Sequence, residues 1–301
     1  MGVRESAIMG GHTRKMHIVV VVIVMVMAFV SIFPVLFTFA NSFMSPEEVY
    51  HRYTSDITEI NEDGFAVGNV HFVDIGIPRS FTFEQYESLL FNNPAYLRMF
   101  WNSILLLVPV LIGQFLLAPL AAYGFENMRF RYKEAIYFIY IIVMLMPMQI
   151  LLVPNFIVSG WLGIRDTYWA IILPALFHPL GVFLIRQQLK NFPRECMEAA
   201  ALDGATPFKI YTKIVRPNLS SVVAAVCVLV FADNWNIIDQ AVIFIKETYS
   251  MPLSVQLSRL AAESPGFFFA ASAFYIIPAI LVFIPGQKSL TQGLDLSRIK
   301  H

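Results

Sequence analysis

The stretch Glu195-Cys-Met-Glu-Ala-Ala-Ala-Leu-Asp-Gly-Ala-Thr-Pro-Phe-Lys-Ile-Tyr-Thr-Lys-Ile-Val-Arg-Pro217 is polar, rich in helix signals, and set between two long apolar segments. It reads as two short helices joined by a sharp turn. Pro193 can open the first, because proline tolerates a first-turn position. Ala199, Ala200, Ala201 and Leu202 are strong helix formers. Asp203-Gly204 stops that helix, since glycine takes the left-handed conformation that ends helices. Thr206-Pro207 supplies a cap and a first helical position for the second helix. Arg216-Pro217 is expected to end it.

Outward from this hairpin the chain is membrane-like. It is 57% hydrophobic and 14% charged, whereas soluble domains run nearer a quarter charged. A bilayer-crossing helix needs about 20 mostly apolar residues. Six runs qualify, at about 18–40, 100–123, 135–158, 168–185, 222–245 and 267–284, the fifth with a polar interruption. The expected fold is therefore all-α, one membrane domain over residues 1–301 with six transmembrane helices. The apolar core of the first run exceeds that of a signal peptide, so it is expected to remain as a helix. Cys196 lies in the hairpin and Cys227 in an apolar run, which suggests reduced thiols and no disulfide framework.

Lys and Arg gather on one side. Arg4, Arg14 and Lys15, then Arg129, Arg131 and Lys133, the hairpin region Arg186, Lys190, Arg194, Lys209, Lys213 and Arg216, and Lys288, Arg298 and Lys300 all fall there. This places both termini and the 194–217 loop in the cytoplasm. The loop at about 42–97 is then external. It is acidic, with Glu47, Glu48, Asp56, Glu59, Glu62, Asp63, Asp74, Glu84 and Glu87, and residues 64–77 could form a small hairpin. It reads either as a docking surface or as an ordinary solvated loop. Net charge is zero, so no global basic signal for nucleic acid exists.

Glu198-Ala199-Ala200, Gly204, Ile214 and Pro217, at their spacing, resemble the EAA loop of ABC-importer permeases. One position departs: Arg216 stands where that family usually has Leu. Trp101-Asn102-Ser103, Ala121 to Phe130, Met146-Pro147, Val153-Pro154, Phe231 to Asn236 and the tail from Gln287 extend the likeness to the second permease subunit of maltose-type carbohydrate importers. The tail segment Leu296 to Lys300 departs from that family's small-residue ending. The resemblance implies a cytoplasmic coupling helix that docks into a separate ATPase, with Glu198, Ala199, Ala200, Leu202, Asp203, Gly204, Phe208 and Pro217 as its coupling residues. It also implies an inner-membrane location, a second homologous permease, two ATPase subunits, an extracytoplasmic solute-binding protein and a sugar as substrate. No cofactor or metal is implied.

The polar break Asp233-Asn234-Trp235-Asn236 is the first candidate for substrate contact. Polar groups at membrane depth are costly and face a cavity or a partner. Asn and Asp can bond sugar hydroxyls, and an indole can stack on a sugar face. The bland alternative is interhelical hydrogen bonding. Gln149 and Asn155 in the third run read the same way. His178, beside Pro174 and Pro179, reads as a neutral histidine bonded to a carbonyl freed by proline. The chain has no complete phosphate loop, since Gly286-Gln-Lys-Ser289 lacks the first glycine. It has no zinc motif and no nucleophile elbow, so it is not expected to be an enzyme. The rival readings are an ABC permease for an oligopeptide or polyamine and, more distantly, a secondary transporter. The latter should show internal repeats and mid-span ionisable residues.

Overall fold

The structure, a computed structural model, describes residues 2–53, 78–263 and 267–293, and every regular element among them is a helix. The acids at 56, 59, 62, 63 and 74, the expected hairpin at 64–77 and the tail segment at 296–300 lie outside the described residues. The chain divides into two compact units, Met1–Asn92 with Leu260–Phe274, and Asn93–Arg259 with Tyr275–His301.

In the first unit, α1 (Gly2–Asn41) carries the apolar stretch Met16–Asn41, with a mean hydropathy of 3.1 and no residue of its most apolar window buried. A helix apolar on all sides is a membrane span. Two short helices follow, α2 (Pro46–Tyr53) and α3 (Glu84–Leu90). Their small core joins Met44 and Val49 to Phe269 and Phe37. Gln85 is fully buried, and its amide donates to Asn41 O and Met44 O and accepts from Ala270 N. The Glu48 carboxylate accepts from the amides of Arg79 and Ser80 and from the Ser80 hydroxyl, and pairs with Arg52. Burial pushes this carboxyl up, but those bonds together hold it below the usual carboxylate range.

The second unit is built around α4 (Pro94–Asn127), which packs on α7 (Trp169–Leu176), α8 (Pro179–Lys190) and α12 (Ser220–Trp235). Leu106, Val110, Ala118 and Ala122 of α4 meet Val182 and Ile185 of α8 and Val222, Val226 and Val230 of α12. Gly181 permits the close approach. A Cβ there would lie 2.7 Å from Gln114 Oε1 and 2.9 Å from Val226 Cγ1, which is the use of small residues between membrane helices. The unit also holds α5 (Lys133–Leu145), α6 (Met148–Trp161), α9 (Arg194–Leu202), α10 (Pro207–Ile210), α11 (Arg216–Asn218) and α13 (Asp239–Phe244), together with the first part of α14 (Leu253–Glu263), up to Arg259, and the part of α15 (Phe268–Gly293) from Tyr275 on. Asn102 donates to Tyr249 O and Met251 O, and Ser103 accepts from Leu253 N, so the Trp101-Asn102-Ser103 motif holds the loop before α14.

Four helical segments are long and apolar enough to cross a membrane, or six if each of two bent pairs counts as one span. Three expected runs depart from straight helices. The third breaks at Met146-Pro147 into α5 and α6, bent by 113°. Pro147 lacks an N–H and drives Met146 into extended backbone, φ −75° and ψ 130°. The fourth is interrupted at Phe177-His178, before Pro179. The fifth ends at Trp235, and residues 239–244 form the separate α13. Its partner in the bent pair is Pro207–Asn218, at 74°. At 16 residues α12 is about 24 Å long, short of the hydrocarbon thickness of about 30 Å.

Candidate functional site

The polar hairpin forms as a rigid, capped unit. Pro193 precedes α9 with φ −58° and ψ 118°, one position earlier than expected, and α9 closes at Leu202. The turn then uses Gly204 at φ +80°. Ala205 N donates to Ala200 O and Gly204 N to Ala201 O, each at 3.0 Å, the paired bonds of a Schellman cap. Thr206 Oγ1 accepts from Lys209 N, and Pro207 takes the first position of α10.

The second helical segment ends at Asn218, one residue past Arg216-Pro217 and so within a residue of the expected stop. Residues 211–215 form a π-helical turn, and α11 carries the chain through Pro217 to Asn218. Across the wider turn Arg216 N donates to Tyr211 O, and Asn218 Nδ2 donates to Ile214 O at 2.7 Å. Arg216, in place of the leucine, sets its guanidinium 4.7 Å from the Phe115 ring centre and so keeps a packing contact.

One side of the hairpin is anchored. Ile210, Tyr211 and Val215 are buried, and Met197, Ala200 and Ala205 pack against the same core. Tyr123 donates from its hydroxyl to Pro207 O at 3.2 Å, and its ring centre lies 5.2 Å from that of Tyr211. Glu126, near the end of α4, divides its carboxylate between two helices. Oε2 meets Arg186 Nε of α8 at 3.0 Å, and Oε1 meets Arg194 Nη2, at the start of α9, at 3.6 Å. The buried Arg186 guanidinium also lies 3.7 Å over the Tyr137 ring. The motif Ala121 to Phe130 carried Tyr123 and Glu126 in the sequence, but nothing local marks Glu126 as the partner of Arg186.

The other side of the hairpin is bare. Glu198, Ala199, Asp203, Gly204 and Pro217 are exposed, and Leu202 and Phe208 are 89% and 67% exposed. Of the eight residues read as coupling positions, Ala200 faces the core and the others face outward. Leu202 and Phe208, large apolar side chains on either side of the turn, are each left to water, at a cost of about 25 cal/mol per Å².

The polar break is arranged differently from a stacking platform. Trp235 is only 2% exposed. Its ring stacks with Phe231 and Tyr275, meets Phe100 edge-on, and donates Nε1–H to Tyr275 O. Asn234 and Asn236 each donate back to a carbonyl one turn earlier, Val230 O and Ala232 O. The Tyr275 hydroxyl lies 2.8 Å from both Trp235 O and Asn236 Oδ1. Asp233 and Asn236 are exposed, Asn234 is half-buried and Trp235 is core. Gln149 is exposed and Asn155 half-buried on α6, which packs on α7 and α13, whereas α12 packs on α4 and α8. The two candidate groups thus sit on helices with different neighbours.

His178 does not take the freed carbonyls. Gln114, 1% exposed, donates to Ala175 O and Leu176 O, and Tyr140 donates to Phe177 O. His178 Nδ1 is buried with no hydrogen-bond partner among the described residues. Gln114 interrupts the apolar run at 100–123, and that polar group at span depth was the signal available for it.

Residues 114–291, more than half the chain, match the family described as binding-protein-dependent transport system inner membrane component, and the chain belongs to that family. It is a permease component of a transport system, with the expected all-helical membrane fold. The arabinooligosaccharides transport system permease protein AraQ of Bacillus subtilis is 26% identical over 226 residues, 74% of this chain and 80% of that protein. The lactose transport system permease protein LacG of Rhizobium radiobacter is 32% identical over 199 residues, 65% of this chain and 73% of that protein. A chain in the crystal structure of a bacterial ABC transporter involved in import of the acidic polysaccharide alginate superposes with a TM-score of 0.72. It is 21% identical, over 91% of this chain and 96% of that one.

Proposed function

We propose that this chain is the permease subunit of an ATP-driven ABC importer that moves a sugar or oligosaccharide across the cytoplasmic membrane. The observation that carries this reading is the exposed Leu202–Phe208 surface on a hairpin tied to the α4, α8 and α12 core. A side chain such as Leu202, 89% exposed on a capped and anchored turn, is arranged for a partner rather than for water. The partner is a separate ATPase subunit, because this chain has no phosphate loop. A second homologous permease, a second ATPase copy and an extracytoplasmic solute-binding protein complete the machine. Both termini and the hairpin lie in the cytoplasm, as the Lys and Arg placement supports.

ATP closes the ATPase dimer and moves the docked hairpins as levers. The bundle then switches from inward- to outward-facing, and hydrolysis returns it. This is a two-state element biased by a ligand that binds one state better. The relatives named for arabinooligosaccharide and lactose transport support a sugar over an oligopeptide or polyamine. Asp233 and Asn236, exposed beside the break at the end of α12, are the substrate-path residues of this reading, with Asn234, Gln149 and Asn155 as secondary positions. Trp235 supports them from below by packing.

The test is uptake by the reconstituted transporter across oligosaccharides, peptides and polyamines. Oligosaccharides alone should be taken up. Asp233→Ala and Asn236→Ala should lower uptake while ATPase retention stays intact. Trp235→Ala should instead deplete folded protein, because deleting a buried indole costs about 3–5 kcal/mol. Peptide or polyamine uptake, or unchanged sugar uptake in both polar variants, would contradict the substrate reading.

A further inference from the structure

In the first unit, the turn before α3 has its polarity inverted. Arg79 is exposed, but the backbone amides of Arg79 and Ser80 and the Ser80 hydroxyl turn toward Glu48. Glu48 accepts from Arg79 N at 3.0 Å, Ser80 N at 3.3 Å and Ser80 Oγ at 3.0 Å. Gln85 is wholly buried and saturated by Asn41 O, Met44 O and Ala270 N, and Tyr86 donates to Ser42 Oγ at 2.7 Å. The aromatic rings point outward: Phe81 is 71% exposed and Phe83 68%. A turn facing water gains nothing from hiding its hydrogen-bonding groups and displaying two phenyl rings.

The position of this turn is fixed by the end of α1. The apolar stretch Met16–Asn41 has 26 residues, about 39 Å of helix. That exceeds the hydrocarbon thickness of about 30 Å but fits the 40–45 Å or so that includes the headgroups. Asn41 therefore reaches the headgroup layer. Phe43 lies two residues on. Thr82 N donates to Phe43 O at 2.8 Å, the Phe81 ring stacks on Phe43 at 4.7 Å, and the Phe83 ring meets it edge-on at 5.5 Å. The outward rings continue the apolar surface of α1 at the depth where aromatic side chains concentrate in membrane proteins. Glu84 and Glu87 of α3 are exposed, so the helix after the turn faces water.

We propose that Phe81 and Phe83 form a bilayer-interface anchor, seated among the headgroups and upper acyl chains of the leaflet where α1 ends. The occupant is lipid rather than a protein, because the rings extend a lipid-type surface and their depth is set by the span itself. The anchor fixes the exit of α1 and the start of α3 in depth and rotation.

The experiment uses the full chain with Cys196→Ser and Cys227→Ser, in vesicles of phosphatidylethanolamine and phosphatidylglycerol. Nitroxides are attached at Phe81→Cys, Phe83→Cys and Glu87→Cys. Collision with oxygen, which partitions into lipid, is compared with collision with a water-soluble nickel chelate. Sites 81 and 83 should favour oxygen over the chelate several-fold more than site 87. In a second variant that keeps the ring, Phe81→Trp should add emission quenched by lipids brominated near the headgroup end of the acyl chain. Sites 81 and 83 matching site 87, with no added quenching in Phe81→Trp, would overturn the proposal. So would sites that collide with the chelate in vesicles and become shielded from both agents only in the assembled transporter, since the surface would then belong to a protein partner.

Discussion

Gly204→Val is expected to leave the helical bundle inserted and to uncouple it from ATP hydrolysis. Gly204 sits at φ +80°, and a Cβ there would meet nothing within 4 Å. The substitution therefore acts through the backbone alone. Holding a β-branched residue in this conformation costs about 1–3 kcal/mol, or roughly 5–150-fold if it is drawn from the coupling equilibrium. The turn relaxes, the Schellman bonds at Ala200 and Ala201 are lost, and Leu202 and Phe208 no longer present one surface. Uptake should fall within that range while expression and span insertion match wild type. Gly204→Asn should recover most of it, because asparagine visits the left-handed region. Wild-type uptake in Gly204→Val would remove the turn from the mechanism.

Arg186→Ala is expected to have the largest effect on stability. Its guanidinium is buried, bonded to Glu126 and seated over Tyr137. Removing one partner of a buried pair leaves the other desolvated and costs about 3–5 kcal/mol. Arg194 does not compensate, since it is 74% exposed and its contact with Glu126 is 3.6 Å long. The purified variant should lose monodisperse protein at a clearly lower temperature than wild type. Glu126→Leu combined with Arg186→Met should recover much of the loss, because an apolar pair of similar volume carries no desolvation cost. Equal melting of Arg186→Ala and wild type would show that the pair does not hold α4 to α8.

The two predictions differ in how visible their residues were. Gly204 and Thr206-Pro207 were legible because a helix stop, a left-handed turn and a cap are local events written in adjacent residues. Pro217 was legible by the same local logic, since the helical segment stops one residue beyond it, at Asn218. The π turn at residues 211–215 was not legible, because no adjacent residue marks a wider turn. Met146-Pro147 carried the signal for its break, yet the apolar pattern on both sides ran on as one span.

Trp235 shows the larger gap. Its neighbours Asp233, Asn234 and Asn236 suggested a site, but the rings that cover it come from Phe100 on α4 and Tyr275 on α15. Glu126 and Arg186 lie 60 residues apart, and Gln114 bonds carbonyls 61 and 62 residues away. Such pairings depend on helix packing, which no window of sequence contains. What the periodicity and apolar runs could supply was the helical class, the six apolar segments and the exposed hairpin between them.

Docking of an ATPase subunit is proposed to rest on Leu202 and Phe208. Leu202→Glu with Phe208→Glu tests it most directly, since neither side chain holds the core and both are exposed. The measurement is the amount of ATPase that co-purifies per permease chain from membranes containing the whole transporter. Burying two such side chains is worth about 1.5–3 kcal/mol each, so the double variant should retain less than about a tenth of the wild-type ATPase. Retention equal to wild type, with substrate-stimulated hydrolysis also unchanged, would show that the ATPase docks elsewhere.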